Sequence, residues 1–106
     1  MSDSFSTDDE APEIPEGGLL RSLPIINKRG LHARASAKFV QMVERYSSTI
    51  TVTRAGETVG GRSIMGLLTL GAAQGTSIYV TAVGEDAQAA LDAIEELLAT
   101  RFGEDE

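Results

Sequence analysis

Gly30-Leu31-His32-Ala33-Arg34-Ala35-Ser36-Ala37-Lys38-Phe39-Val40-Gln41-Met42-Val43 sets the chain's only histidine one residue ahead of a stretch with helical periodicity. Ala33, Ala37, Val40 and Val43 recur at spacings of three and four, with Phe39 and Met42 beside them. That period predicts a helix from Ala33 to about Tyr46, entered through Gly30-Leu31-His32.

Working outward, Leu19 to Asn27 mixes apolar and polar residues in strand fashion. Pro24 has no donor for a ladder and so predicts an edge or a bulge. Beyond the helix, Ser48 to Arg54 places Ile50 and Val52 on one face and Thr49, Thr51 and Thr53 on the other. Ala55-Gly56-Glu57 supplies a turn and Thr58 to Arg62 a short return strand, giving a hairpin. Ser63 to Leu70 predicts a brief apolar helix with a capping serine in front and Gly71 behind. Ser77 to Val83 alternates again as a strand ended by Gly84. Glu85 to Phe102 then repeats Ala87, Leu91, Ile94, Leu98 and Phe102 at helical spacing, with acids in the first turn and Arg101 in the last. The order β-α-β-β-α-β-α predicts an α+β fold, four strands with helices covering one face of the sheet.

A chain of 106 residues accommodates one core of the usual size, about 100 to 150 residues. Residues 1–18 carry six acids, two prolines and no base, which predicts a disordered acidic tail; the domain spans 19–103, and 104–106 form an acidic end. The absence of cysteine excludes disulfides, thiolate metal sites and a cysteine nucleophile. No apolar run approaches the roughly 18 to 20 residues of a membrane span, and the acidic start does not suit a targeting peptide, so no membrane insertion and a cytoplasmic location are expected. The net charge of −7 hides an asymmetry: residues 19–62 hold eight of the nine bases and only two acids.

His32 stands where the first N–H groups of a helix lack intrahelical partners and attract anions. A neutral imidazole there can accept a phosphoryl group; Arg34 adds a planar donor suited to phosphate oxygens, and Gly30 permits a tight entry. Equally, His32 can be a surface cap and Arg34 a solvated charge; spacing leaves both readings open. A lone histidine argues against a metal site. Gly60-Gly61-Arg62-Ser63 lacks the lysine and the glycine spacing of a nucleotide-binding loop, and no cofactor is expected. Ser63 reads first as a helix cap. Ile64, Met65, Leu67, Leu68 and Leu70 are more apolar residues than one buried stripe requires; Leu67 and Leu70 are expected inside.

Asn27-Lys28-Arg29-Gly30-Leu31-His32-Ala33-Arg34-Ala35-Ser36 resembles the active-site stretch of HPr, the histidine-containing phosphocarrier of the bacterial phosphotransferase system, where a G-[LM]-H-x-R-P-[AS]-like pattern surrounds the phosphorylated histidine. Gly61-Arg62-Ser63-Ile64-Met65-Gly66-Leu67-Leu68-Thr69-Leu70-Gly71 resembles that family's second signature, at the family's spacing. The likeness covers about residues 19 to 103 and implies an open-faced β-sandwich, a four-stranded antiparallel sheet under three helices. It implies that His32 takes a phosphoryl group on Nδ1 from phosphorylated Enzyme I, itself charged by phosphoenolpyruvate, and passes it to an EIIA-type acceptor. Arg34 and the backbone of Ala33, Arg34 and Ala35 would steady the phosphate. Ser63 would be the target of a regulatory HPr kinase/phosphorylase, and Ile64, Met65, Leu68 and Lys38 would dock partners, with Arg34 and Arg62 also ringing the patch. The family's usual proline is Ala35 here, which is expected to soften the helix start without abolishing transfer. Within the family the two stretches look closer to the nitrogen-related regulatory branch, NPr, than to sugar uptake. A monomer is expected, and "enzyme" is a matter of definition for a carrier whose histidine is a covalent way station. The rival readings are a nucleic-acid-binding module and a regulatory or protein-binding domain. The net acidity and the five scattered aromatics, Phe5, Phe39, Tyr46, Tyr79 and Phe102, speak against nucleic acid.

Overall fold

The computed structural model describes residues 11–105. Its elements in chain order are β1 (Leu19–Pro24), α1 (Ala33–Val43), β2 (Thr49–Arg54), β3 (Glu57–Gly60), α2 (Ile64–Thr69), β4 (Ser77–Val83) and α3 (Ala87–Ala99). The strands form one antiparallel sheet in the order β1-β4-β2-β3. β1 and β3 are its edges, so Pro24, opposite Ser77 at the end of β1, withholds its missing donor from no inner ladder.

The period-2 pattern decides which way the sheet faces. Register pairs Leu23 with Ile78, Val80 with Val52 and Ala82 with Ile50, and all six are buried in one cluster with Phe39, Val43, Leu67, Leu91, Ile94 and Leu98 of the helices. The other face carries Thr51, Thr53, Tyr79 and Thr81. Its hydroxyls pair across strands, Thr51 with Thr81 and Thr53 with Thr58 at 2.7 Å, and Thr53 and Thr81 are buried by their neighbours.

Several boundaries fall short of the sequence reading. The first strand stops at Pro24 rather than Asn27; only Ile25 continues the pairing, donating to Thr76 O and accepting from Gly75 N. The first helix stops at Val43 rather than Tyr46, closing with tighter turns from Arg45 N to Met42 O and Tyr46 N to Val43 O. Its buried stripe is Ala35, Ser36, Phe39, Val40 and Val43, while Ala33 is exposed. The fully buried Phe39 ring is the largest group on the helix and sets its rotation. The return strand runs over Glu57–Gly60, starting one residue earlier than expected and stopping two residues short of Arg62. The last helix ends at Ala99: Arg101 and Phe102 take φ of 57° and 55°, outside the helical region, and belong to a short 3-10 turn. Within the stretch read as a tail, residues 1–10 lie outside the described residues, and residues 11–18 carry a turn in which Gly18 N donates to Pro15 O.

No helix among the described residues is long and apolar enough to cross a membrane.

Candidate functional site

The entry to α1 depends on Gly30. Its φ is +70°, and a Cβ there would lie 2.5 Å from the carbonyl oxygen of Ala72, the atom to which Leu31 N–H donates at 2.9 Å. This close approach pins the start of α1 to the turn that follows α2. His32 then adopts an extended backbone as the N-cap, and its Nδ1 accepts from the N–H of Arg34 at 3.3 Å. The first α-helical bond, Ser36 N to His32 O at 2.8 Å, comes after the N–H groups of Ala33, Arg34 and Ala35. Those three groups form the positive end of the helix beside Nδ1.

The opposite nitrogen of the ring faces an acid from the far end of the chain. Glu104 Oε2 lies 2.5 Å from His32 Nε2, and Glu104 Oε1 accepts from Asn27 Nδ2 at 3.0 Å. The same Nδ2 donates to Gly30 O at 2.9 Å, so one buried amide ties the glycine entry to the carboxylate. A carboxylate at Nε2 requires a proton there, and a backbone N–H aimed at Nδ1 requires a lone pair. The neutral ring is therefore the Nε2–H tautomer, with Nδ1 bare. Burial works to raise the Glu104 carboxyl's pKa, but hydrogen bonds from Asn27 and His32 and the charges of His32 and Arg29 outweigh it and hold the group below the usual carboxylate range.

The chain reaches this position through the left-handed pair Arg101 and Phe102. Phe102 turns its ring into the core at 1% exposure, and its carbonyl accepts from Lys38 Nζ at 2.6 Å. Glu104, bonded to the imidazole, lines an open basin together with Lys28, Arg29, Arg34, Lys38, Gly103 and Asp105. Four cations thus line a basin at the start of α1, a setting that attracts anions.

Arg34 and Lys38 share the basin with Glu104, which bonds His32, and His32 caps the first turn of α1 that contains Ala33 and Ala35; the Ala35 side chain itself is fully buried. Lys38 is engaged with the C-terminal turn. Ser63 caps α2, accepting from Gly66 N at 2.9 Å. Leu67 and Leu70 are inside, Ile64 and Met65 are exposed, Met65 at 71%, and Leu68 is half-buried. Arg62 does not ring this patch. Its guanidinium turns to the end of α1 and donates to Tyr46 O at 2.8 Å and Val43 O at 3.4 Å, because the negative end of a helix dipole attracts a cation. Sequence reasoning missed two residues of the site. Asn27 was quoted without a role, and Glu104 was assigned to an acidic end; Gly103, a helix-stopping residue, is the one local hint that the chain turns there.

Residues 20–100 match the family described as PTS-HPr, the PTS HPr component phosphorylation site, a span that takes in the capping histidine and all of the sheet but Leu19. The chain belongs to the HPr family. It is 46% identical over 87 residues to the phosphocarrier protein HPr of Xylella fastidiosa (strain Temecula1), covering 82% of this chain and 98% of that one. The phosphocarrier protein HPr of Neisseria meningitidis serogroup B is 47% identical over 88 residues, 83% of this chain and 99% of its own. The crystal structure of an HPr from Thermoanaerobacter tengcongensis superposes with a TM-score of 0.79 at 39% identity, covering 83% of this chain and 99% of that one. As in those HPr structures, the fold is an α+β open-faced sandwich of four antiparallel strands and three helices.

Proposed function

We propose how this phosphotransferase-system phosphocarrier works: Nδ1 of His32 takes a phosphoryl group from phosphorylated Enzyme I and hands it to an EIIA-type acceptor. The observation that carries the reading is His32 Nδ1, which accepts from the N–H of Arg34 at the N-terminus of α1, with a basic basin that reaches the same ring through Glu104. A new phosphoryl group brings about −1.5 to −2 charges and three acceptor oxygens. The N–H groups of Ala33 and Ala35, that of Arg34 once released from Nδ1, and the forked guanidinium of Arg34 are donors of the kind those oxygens need. The carrier does not turn over a substrate by itself; His32 is the covalent intermediate of a reaction shared among proteins.

The exposed side chains of Ile64 and Met65, with half-buried Leu68, form the partner face, and the basic basin beside His32 steers acidic partners to it. Lys38 contributes its charge to that basin while it holds the C-terminal turn. Phosphorylation of Ser63 by an HPr kinase/phosphorylase would leave α2 capped but add a double negative charge next to Ile64, weakening docking of Enzyme I. The working unit is the domain of residues 19–103 together with Glu104 of the acidic end, acting as a monomer in the cytoplasm, where Enzyme I and its acceptors meet it.

The test is intact mass after incubation with phosphoenolpyruvate and Enzyme I, beside His32→Ala, followed by brief acid treatment. One acid-labile phosphoryl group on the native chain and none on the variant is the expected result. Labelling of the variant, or no adduct while Enzyme I charges a control carrier, overturns the reading. Chase of the label onto sugar-branch and nitrogen-branch EIIA proteins in parallel identifies the acceptor.

A further inference from the structure

Three separate devices deliver the Glu104 carboxylate to His32. Arg101 and Phe102 both adopt the left-handed region, unfavourable for any residue with a Cβ, and so turn the chain out of α3. The buried Phe102 ring and the Lys38 bond to its carbonyl then fix the turn. Asn27 finally orients the carboxylate by donating to Oε1, leaving Oε2 for Nε2.

We infer that Glu104 is the positioning residue of His32: it holds the ring proton on Nε2, so presenting the bare Nδ1 to the phosphoryl group, and it faces the positive charge the ring gains as the N–P bond forms. The inference rests on His32 being the acceptor. In the transfer, the Nδ1 lone pair forms the new bond to phosphorus while the bond from phosphorus to the donor nitrogen breaks, its electron pair staying with the donor. The Nε2 proton remains between ring and carboxylate, so no proton leaves. The ring becomes cationic 2.5 Å from an anion. Both the ring and Glu104 are largely shielded, with side-chain exposures of 22% and 17%, so solvent screens this pair less than an open one. Lys28, Arg29, Arg34, Lys38 and Asp105 share the basin, but Glu104 is the acid bonded to the imidazole.

The experiment uses the full chain as Glu104→Ala and Glu104→Gln, each checked for unchanged thermal unfolding. Two quantities are read: the single-turnover rate of phosphorylation by Enzyme I and phosphoenolpyruvate, and the ring tautomer of His32 by nitrogen-15 NMR. The native ring is expected as one Nε2–H tautomer. Glu104→Ala should mix the tautomers and slow loading about tenfold, the size of one lost charge-assisted hydrogen bond. Glu104→Gln keeps one acceptor oxygen, for which Asn27 Nδ2 and the Nε2 proton compete, and no charge, so its tautomer ratio and rate should fall between those of the native chain and Glu104→Ala. Unchanged tautomer and rate in Glu104→Ala overturn the inference while leaving His32 as acceptor. A faster rate also overturns it, because the contact would then be a latch on the nucleophile. Label on His32→Ala removes the acceptor reading and this inference with it.

Discussion

Replacing Gly30 by alanine separates the two physical reasons for a glycine at the entry to the site. The first is conformational: at φ +70° a residue with a Cβ pays roughly 1–2 kcal/mol. The second is contact, since the new Cβ would sit 2.5 Å from Ala72 O and 3.0 Å from Ala73 Cα, both backbone atoms that cannot rotate away. Forcing a methyl into a packed site costs about 1–3 kcal/mol. Together the terms give about 2–5 kcal/mol out of a total stability of about 5–15 kcal/mol. Gly56→Ala isolates the first term, because Gly56 has φ +79° and nothing within 4 Å of its Cβ position. Denaturant unfolding of both variants, compared at equal m-value, should place Gly30→Ala about 1–3 kcal/mol below Gly56→Ala. Equal losses within about 0.5 kcal/mol would refute the argument that the Ala72 carbonyl fixes the entry. The phosphorylation rate offers a second reading: displacement of the Gly30 carbonyl disturbs the Asn27 amide and through it Glu104, so Gly30→Ala should slow loading where Gly56→Ala does not.

Two further outcomes are expected. The Asp86 carboxylate accepts from the Ser48 hydroxyl, from the N–H groups of Ser47 and Ser48 and from the Ser47 hydroxyl, which hold its pKa below the ordinary range, the Ser48 hydroxyl most strongly. On acidification the unfolded chain binds this proton first. The contribution is therefore complete above the ordinary carboxylate pKa of about 4 and is lost as pH falls through the lower folded value. Denaturant midpoints of the native chain and Asp86→Asn should differ at pH 7 and draw together as pH falls below the ordinary carboxylate pKa; a constant gap would count against the linkage. Met65 is 71% exposed, so Met65→Ala should leave the unfolding midpoint unchanged and raise the KM for Enzyme I about five- to tenfold, as for an interface anchor; an unchanged KM removes it from the docking face.

Much of the fold was legible because it rests on short-range periodicity. Alternation in Thr49–Arg54 and Ser77–Val83 marks strands with one buried face, and the spacing of Leu91, Ile94 and Leu98 marks α3. Pro24 announced an edge, and Ser63 a cap with Leu67 inside, because each effect acts within a few residues. The histidine and arginine of the site were legible for the same reason: a residue placed just ahead of a helix is already beside that helix's free N–H groups.

What lay beyond the sequence was decided by contacts across the chain. Phe102 continues the helical spacing of Leu98, so periodicity extends α3 through it. The structure ends the helix because the ring, the Lys38 ammonium and the Phe102 carbonyl are satisfied together only in the turned conformation. Arg62 lies next to α2 in sequence, yet the carbonyls ending α1 draw it elsewhere. The rotation of α1 follows Phe39 rather than the alanines, since the core selects the largest apolar surface. Glu104 is the fullest case: 72 positions separate it from His32, and no local pattern records that pairing. By itself the sequence determined the strands, the helices and the histidine at a helix entrance. Only the tertiary structure decided which nitrogen of that histidine is bare, because the proton is fixed by a carboxylate that long-range packing alone carries to the ring.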